Sequence, residues 1–404
     1  MTPELARRIA FTLGALLIYR LGTWIPLPGL NSGIWEQVFR SHAGGPFASS
    51  GIHRLSIFAL SILPYFTAAI LIQLVSMASS KLSALPRSGE AGRRKIARYT
   101  IGLAILLTAF QAYGIASGLQ NIPNLVSDPG GLFLLSTTVT LTGGTAFLVW
   151  LSEQITLRGI GNGLALILFA GVAVEMLRSV ASMFELFRQG ALSTGQAWLL
   201  AILSGVLVAV VVFVELARRR VPVEFASRKL GDRLFPARSS HLSLKLNSAG
   251  VIPAIVAPWL YLIPLWIAGI ALGQTSPLLD VAFGHLGHMI LGSIAIVIVA
   301  FFYTSFVVDP EYAADCLRKH GAAIPGVEPG EPTAEHLDRI VSYATCVGAL
   351  YLAAVFLVPE LLLSYSQAPF YLGGASVLIA VCTVLDIETQ VRGLTLTRPG
   401  GAYS

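Results

Sequence analysis

Charge is what this sequence has least of. Asp, Glu, Lys and Arg together make up 12% of its 404 residues, about half the share of a soluble domain. With 55% hydrophobic residues, the chain cannot keep a large surface wet and falls among polytopic membrane proteins. Cysteine is scarce too. Cys316, Cys346 and Cys382 stand far apart in no CxxC or metal-ligand spacing, which excludes a disulfide framework or thiolate centre as the basis of the fold. His285 and His288 are three apart, and such a pair is far more often buried or interfacial than metal-ligating. The sequence contains no Walker loop, HExxH or GxSxG, and no Ser–His or paired-Asp arrangement that would suit an intramembrane enzyme. No catalytic residue, metal or cofactor is expected, so energy for any transport must come from partners.

What is present is a series of apolar runs near 9–27, 56–79, 99–119, 132–152, 160–177, 196–215, 249–272, 287–308, 340–358 and 370–388. Each is long enough to cross a hydrocarbon core. The first continues without a small-residue cleavage site, so it reads as a span and not as a signal peptide. The connections after the even-numbered spans hold 18 Lys and Arg. Those after the odd-numbered spans hold four: Arg40, Arg54, Arg178 and Arg188. The positive-inside rule places the first set and both termini in the cytoplasm. A polar link, 182–195, divides the chain into halves 1–181 and 196–404 of five spans each. An odd number per half gives opposite orientations, which permits an inverted repeat around a central site.

Residues 55–74, LSIFALSILPYFTAAILIQL, carry polar residues that a purely lipid-facing helix would not need. Pro64 removes a donor and is expected to loosen the helix. Ile62, Phe66 and Gln73 fall on one helical face by spacings of four and seven. Gln73, Gln111 and Asn247 are amides in otherwise apolar spans and call for partners across helices. Residues 43–54, AGGPFASSGIHR, are too polar to span. Residues 217–245 carry eight basic residues against Glu224 and Asp232, whereas 309–339 carry three basic residues against seven acids.

The order of motifs resembles the SecY family over nearly the whole chain. The matching pieces are TWIPLPGLN (23–31), LSIFALSILPYF (55–66), EAGRRKIARYT (90–100), EQITLRGIGNGLALILFAG (153–171), HLSLKLNSAGVIPAI (241–255), the connection 301–340 and PFYLGGASVLIAVCTVLD (369–386). The resemblance implies an all-α fold of ten transmembrane helices, in two inverted five-helix halves around a central pore for unfolded polypeptide. It implies a pore ring of Ile62, Phe66, Leu168, Ile255 and Ile379, apolar enough to stay unwetted when empty. Taken singly, each of these is better read as an apolar residue meeting lipid or another helix. Phe66 departs from the family, which usually has an aliphatic residue there. Gly44, Gly45, Phe47, Ser49, Ser50 and Gly51 fall in the family's plug, the alternative being an ordinary external loop. Gln73, Gln111 and Asn247 fall on spans that border the lateral gate, where signal-sequence-bearing polypeptides pass toward membrane lipids. Arg218, Arg219, Arg220, Arg228, Lys229 and Arg233 fall on a docking surface for SecA or the ribosome, where phosphates of ribosomal RNA can be contacted without sequence preference. In PGVEPGEPTA (325–334) the family carries arginine where this chain has Glu328, a charge reversal at the motor-docking loop. SecE and SecG are the implied partner subunits, and the bacterial inner membrane the implied location. Two other readings stay open here: a divergent accessory translocon with altered SecA coupling, and a secondary transporter for a small solute. The second is disfavoured because Glu153, Glu175 and Glu215 sit at span ends, leaving no ionisable group at mid-membrane.

Overall fold

A computed structural model describes residues 3–31, 33–35, 55–79, 82, 85, 89–190, 192–225, 228–230, 233–235, 238–258, 260, 284–366 and 373–396. Seven of the described helices are long and apolar enough to cross a membrane by length and composition. The chain forms two compact units: residues 1–193 with 368–372 and 379–404, and residues 194–367 with 373–378.

In the first unit the helices are α1 (Pro3–Gly22), α2 (Leu63–Ala78), α3 (Glu90–Gln120), α4 (Gly131–Arg158) and α5 (Gly163–Arg188). Along α3, Thr100, Ala104, Thr108, Ala112 and Ala116 are buried at every fourth position. Small residues on one stripe let neighbouring backbones approach closely, which is how helices associate where no water drives them together. Phe110 and Tyr113 are exposed, as suits a surface toward lipid. In α4, Gly144 sits where a Cβ would lie 2.1 Å from the Ile57 carbonyl oxygen.

The second span does not begin as a helix. Residues 55–62 form turns, with Leu55 and Ser61 in the left-handed region, and α2 starts at Leu63. Pro64 therefore opens the helix, where its missing N–H costs nothing, and does not loosen one. TWIPLPGLN runs in turns beside this segment, bridged to it at Pro26 and Ser56: Leu27 N–H donates to the Leu55 carbonyl at 2.9 Å and Ile57 N–H to the Ile25 carbonyl at 3.1 Å. Its far end bonds to the α3–α4 connection, with Asn31 N–H on the Leu125 carbonyl at 2.9 Å. The polar link is shorter than 182–195, because α5 continues to Arg188. That extension also moves Glu175 from a span end to the middle of a helix, where it pairs with Arg178 at 3.3 Å.

In the second unit, α6 (Thr194–Leu216) is apolar nearly all round, and among its residues Leu200 and Val211 are buried. A hairpin of β1 (Arg218–Phe225) and β4 (Arg238–Lys245) follows, with β2 (Arg228–Leu230) and β3 (Arg233–Phe235) paired farther out. Then come a helix over residues 252–258 (α7), α8 (His285–Val307), α9 (Pro310–Lys319), β5 (Ala322–Ala323) and α10 (Glu331–Ser366). Asp309 caps α9 by accepting from Tyr312 N–H at 3.0 Å. The strands are an addition to the expected helices: β5 pairs with β1 at Glu224 and Phe225, in a sheet of order β4-β1-β5. The last helix, α11 (Gly374–Leu396), has its first residues in this unit and the remainder in the first.

Gly163 opens α5 where a Cβ would lie 1.9 Å from the Ser152 carbonyl oxygen, whereas Gly14 in α1 has nothing within 4 Å. Gly163→Ala is expected to lower stability by about 1–3 kcal/mol through overpacking, and Gly14→Ala to leave it unchanged or slightly raised. Thermal unfolding of the two detergent-solubilised variants checks the contrast.

Candidate functional site

The first unit's candidate site is built where helices end and begin. Between α4 and α5, the residues GIGNG (159–163) leave backbone donors with no helical partner. Three of them, on Ile160, Gly161 and Gly163, find a side chain instead. Ile160 N–H donates to Thr12 Oγ1 of α1 at 3.0 Å, and Gly161 N–H to Gln390 Oε1 of α11 at 2.8 Å. Gly163 N–H donates to Thr156 Oγ1 at 2.9 Å, and Asn162 Oδ1 caps α5 by accepting from Leu164 N–H at 3.0 Å. Gly161 has φ +88°, which a residue with a Cβ rarely adopts. At the other break, Thr145 Oγ1 of α4 donates to the Ser61 carbonyl at 3.2 Å. Thr12, Thr145 and Gln390 were missed by sequence reasoning. A hydroxyl or amide on an amphipathic stripe gives no sign of which distant backbone group it serves.

Ile62 is the residue before α2 and is fully buried, packed with Leu148, Leu151, Ile155, Leu166 and Ile167. Phe66, one turn on, packs half-buried against the same cluster, with its ring edge-on to Tyr65. Leu168 is half-buried on α5; Ile379 on α11 is buried. Ile255, in the second unit, is buried on α7. Gln73 and Gln111 are half-buried on α2 and α3, and Gln73 Oε1 is buried without a hydrogen-bond partner among the described residues. Gly44, Gly45, Phe47, Ser49, Ser50 and Gly51 lie outside the described residues.

Asn247 is a correction. It does not lie in a span, and its partners are not on α2 or α3. It sits in the turn between β4 and α7, 3% exposed. Its Nδ2 donates to Glu215 Oε1 at 2.7 Å and to the Gly250 carbonyl at 3.2 Å, while its Oδ1 accepts from Gly250 N–H at 3.1 Å. The amide thus closes the turn on itself and ties it to the end of α6. Gly348 of α10 leaves room for this turn, since a Cβ there would stand 3.0 Å from the Leu246 carbonyl oxygen.

Arg218, Arg219 and Arg220 are exposed at the base of β1. Arg228 and Lys229 lie on β2 and Arg233 on β3. Glu328 is exposed in the β5–α10 connection, and its carbonyl accepts from Thr333 Oγ1 at 2.7 Å. The connection 309–339 is not a loop throughout, because α9, β5 and the start of α10 lie within it. Val221, Ile324 and Leu337 are buried together, with Leu242, Leu244, Ala313 and Leu317 packed around them. The hairpin and this connection therefore share one small core. No group of His, Cys, Asp or Glu among the described residues could hold a metal ion.

The SecY family model matches residues 56–388. The chain is 41% identical over 409 residues to protein translocase subunit SecY of Escherichia coli (strain K12), covering 98% of this chain and 92% of that protein. It is 40% identical to the same-named subunit of Vibrio cholerae (serotype O1, strain El Tor Inaba N16961), covering 96% and 91%. Among solved structures, a protein-conducting channel superposes with a TM-score of 0.66 at 20% identity, over 99% of this chain and 95% of that one. Sec61 in the canine ribosome–channel complex from the endoplasmic reticulum superposes with a TM-score of 0.64 at 17% identity, over 99% and 95%. These two likenesses are of fold.

Asn247→Ala removes a bond to a carboxylate and leaves the turn open, and is expected to cost about 2 kcal/mol. Asn247→Asp should cost more, because it sets two carboxylates against each other. Thermal unfolding of the two variants beside the unaltered chain checks the order.

Proposed function

This chain belongs to the SecY family, and we propose that it works with SecE and SecG in the bacterial inner membrane, driven by SecA or by the ribosome. It is a multi-pass membrane protein and a protein-conducting channel subunit, not an enzyme. The observation that carries this is the extent of the match, 41% identity over 98% of the chain, which takes in both breaks, the hairpin and the connection after α8.

The finer parts rest on sequence and physics. The 18 basic residues after even-numbered spans, against four after odd-numbered ones, support cytoplasmic termini, with the hairpin and the α8–α10 connection in the cytoplasm. The two five-span halves would part at the short link between α5 and α6 and let signal-bearing segments leave sideways into lipid. Ile62, Phe66, Leu168, Ile255 and Ile379 would form the constriction, since apolar side chains yield around a passing chain and dewet when it is empty. Residues 43–54 would plug it from outside. Gln73 and Gln111 remain the amides of the lateral gate; the bonds of Asn247 to Glu215 and Gly250 give it a different task, holding the hairpin's base. Arg218, Arg219, Arg220, Arg228, Lys229 and Arg233 would meet ribosomal RNA or SecA.

Glu328 bears on which motor is used. Its carboxylate stands exposed beside the shared core of hairpin and connection, so a motor adapted to arginine there meets the wrong charge. In liposomes holding this chain with SecE and SecG, SecA and ATP should give protease-protected preprotein. Glu328→Arg should lower the SecA concentration for half-maximal transport about fivefold, the scale of a reversed surface charge. Absence of protected product from both forms, despite a stable complex with SecE, would remove motor-driven transport and leave ribosome-coupled insertion.

A further inference from the structure

The β1–β4 register puts Arg218 directly across from Lys245, and Arg220 across from Ser243. Side chains on one strand alternate between faces, so Arg218, Arg220, Ser243 and Lys245 share a face. All four are exposed. Arg219 falls on the other face, with Val221, which is buried. Residues directly opposite in an antiparallel pair have Cβ atoms about 5 Å apart, and like charges there repel. Among the described residues none of the three cations makes an ion pair. The acid on the same face, Glu224, is four residues beyond Arg220, about 13 Å up the strand. The register thus gathers positive charge that nothing on the face relieves.

Its height is set by the span below. Leu216, the last residue of α6, and Phe213 are exposed apolar side chains. The hairpin follows without a linker: Leu246 N–H donates to the Ala217 carbonyl at 3.1 Å, closing the two strands at the helix end. Arg218 and Lys245 are the next residues outward on each side. With α6 as a membrane span, they follow directly on its last apolar turn, and basic residues immediately beyond a membrane helix attract anionic lipid. The tip cations on β2 and β3 are farther out, since β1 alone runs about 23 Å.

We propose that Arg218, Arg220 and Lys245 form a binding face for the phosphate of an anionic phospholipid at the foot of the hairpin. The lipid offsets the Arg218–Lys245 repulsion and fixes the angle at which the hairpin leaves the membrane. This rests on the cytoplasmic placement of the hairpin, and it gives Arg218 and Arg220 to lipid at the foot in place of a motor or ribosome, which keeps Arg219 and the tip cations Arg228, Lys229 and Arg233.

The test uses the full chain with SecE in nanodiscs of phosphatidylcholine with a minor share of phosphatidylglycerol. The three native cysteines are replaced by serine and a dye is attached at Ser243→Cys. Energy transfer to acyl-labelled phosphatidylglycerol is compared with transfer to acyl-labelled phosphatidylcholine. The unaltered face should favour phosphatidylglycerol. Arg218→Gln with Lys245→Gln should weaken that preference roughly fivefold per charge removed. Arg218→Lys with Lys245→Arg, and separately Arg228→Gln with Lys229→Gln, should keep it. Equal transfer from the two lipids in the unaltered protein overturns the proposal, and so does an equal loss in the tip variant. Should the foot variant not assemble, salt decides: raising it from ~0.05 to ~0.5 M must reduce the preference of the unaltered protein, and an unchanged preference refutes the proposal. Labelling Ser243→Cys with an impermeant maleimide in intact spheroplasts separately reads the side, so an error of orientation shows apart from an error about lipid.

Discussion

Hydrocarbon offers no water to a backbone N–H or C=O, so every such group must find its partner in the chain. Most of this protein meets that demand with uninterrupted helices. The informative places are where it does not. At 55–62, 159–163 and 246–250 the chain leaves regular helix and strand, and side chains take up backbone hydrogen bonds: Thr145 at the first, Thr12, Gln390 and Thr156 at the second, Asn247 in the turn after β4 at the third. A channel for polypeptide needs walls that are not smooth cylinders, and each irregularity is bought with a polar side chain from somewhere else in the fold.

That accounting explains what could be read from the sequence and what could not. Seven of the ten hydropathy runs coincide with described helices long and apolar enough to cross a membrane, because burial in lipid is a property of each segment alone. Hydropathy did not locate the breaks. Thr12 lies 148 residues from Ile160, and Gln390 lies 229 residues from Gly161, so no local pattern reveals that they meet. Pro64 shows the same limit, since proline both interrupts helices and begins them. Asn247 was recognised as an amide needing a partner, yet the partners were the adjacent turn and the end of α6, not another span. The hairpin was hidden by Pro222 within RRRVPVEF. The strand tolerates it because β5 covers β1 only at Glu224 and Phe225, leaving the sheet open on that side at Pro222. Residues 43–54, proposed as a plug, stand out by composition and lie outside the described residues.

Charge follows the same economy. Ionisable groups gather towards helix ends and in the hairpin; Glu175 and Arg178 lie inside α5 as a pair, Glu360 lies buried within α10, and Asp386 lies within α11. An i,i+3 pair on one helix presents little net field to its surroundings, so it gives no support to ion-coupled transport. What remains is a basic hairpin beside a net acidic connection, held by one apolar core of Val221, Ile324 and Leu337.

That core has a mechanical meaning. Leu337 belongs to α10, which starts at exposed Glu331, enters the shared core at Leu337 and Ile340, and runs as a helix through Pro359. From Glu331 to Pro359 is about 42 Å at the usual rise per residue. Hairpin and helix are thus handle and lever. A tilt of about 6° at the handle carries the far end of that helix through about 4 Å, comparable to the width of a side chain. A partner pressing on the hairpin need not reach into the membrane to be felt there, because the same helix lies in both places.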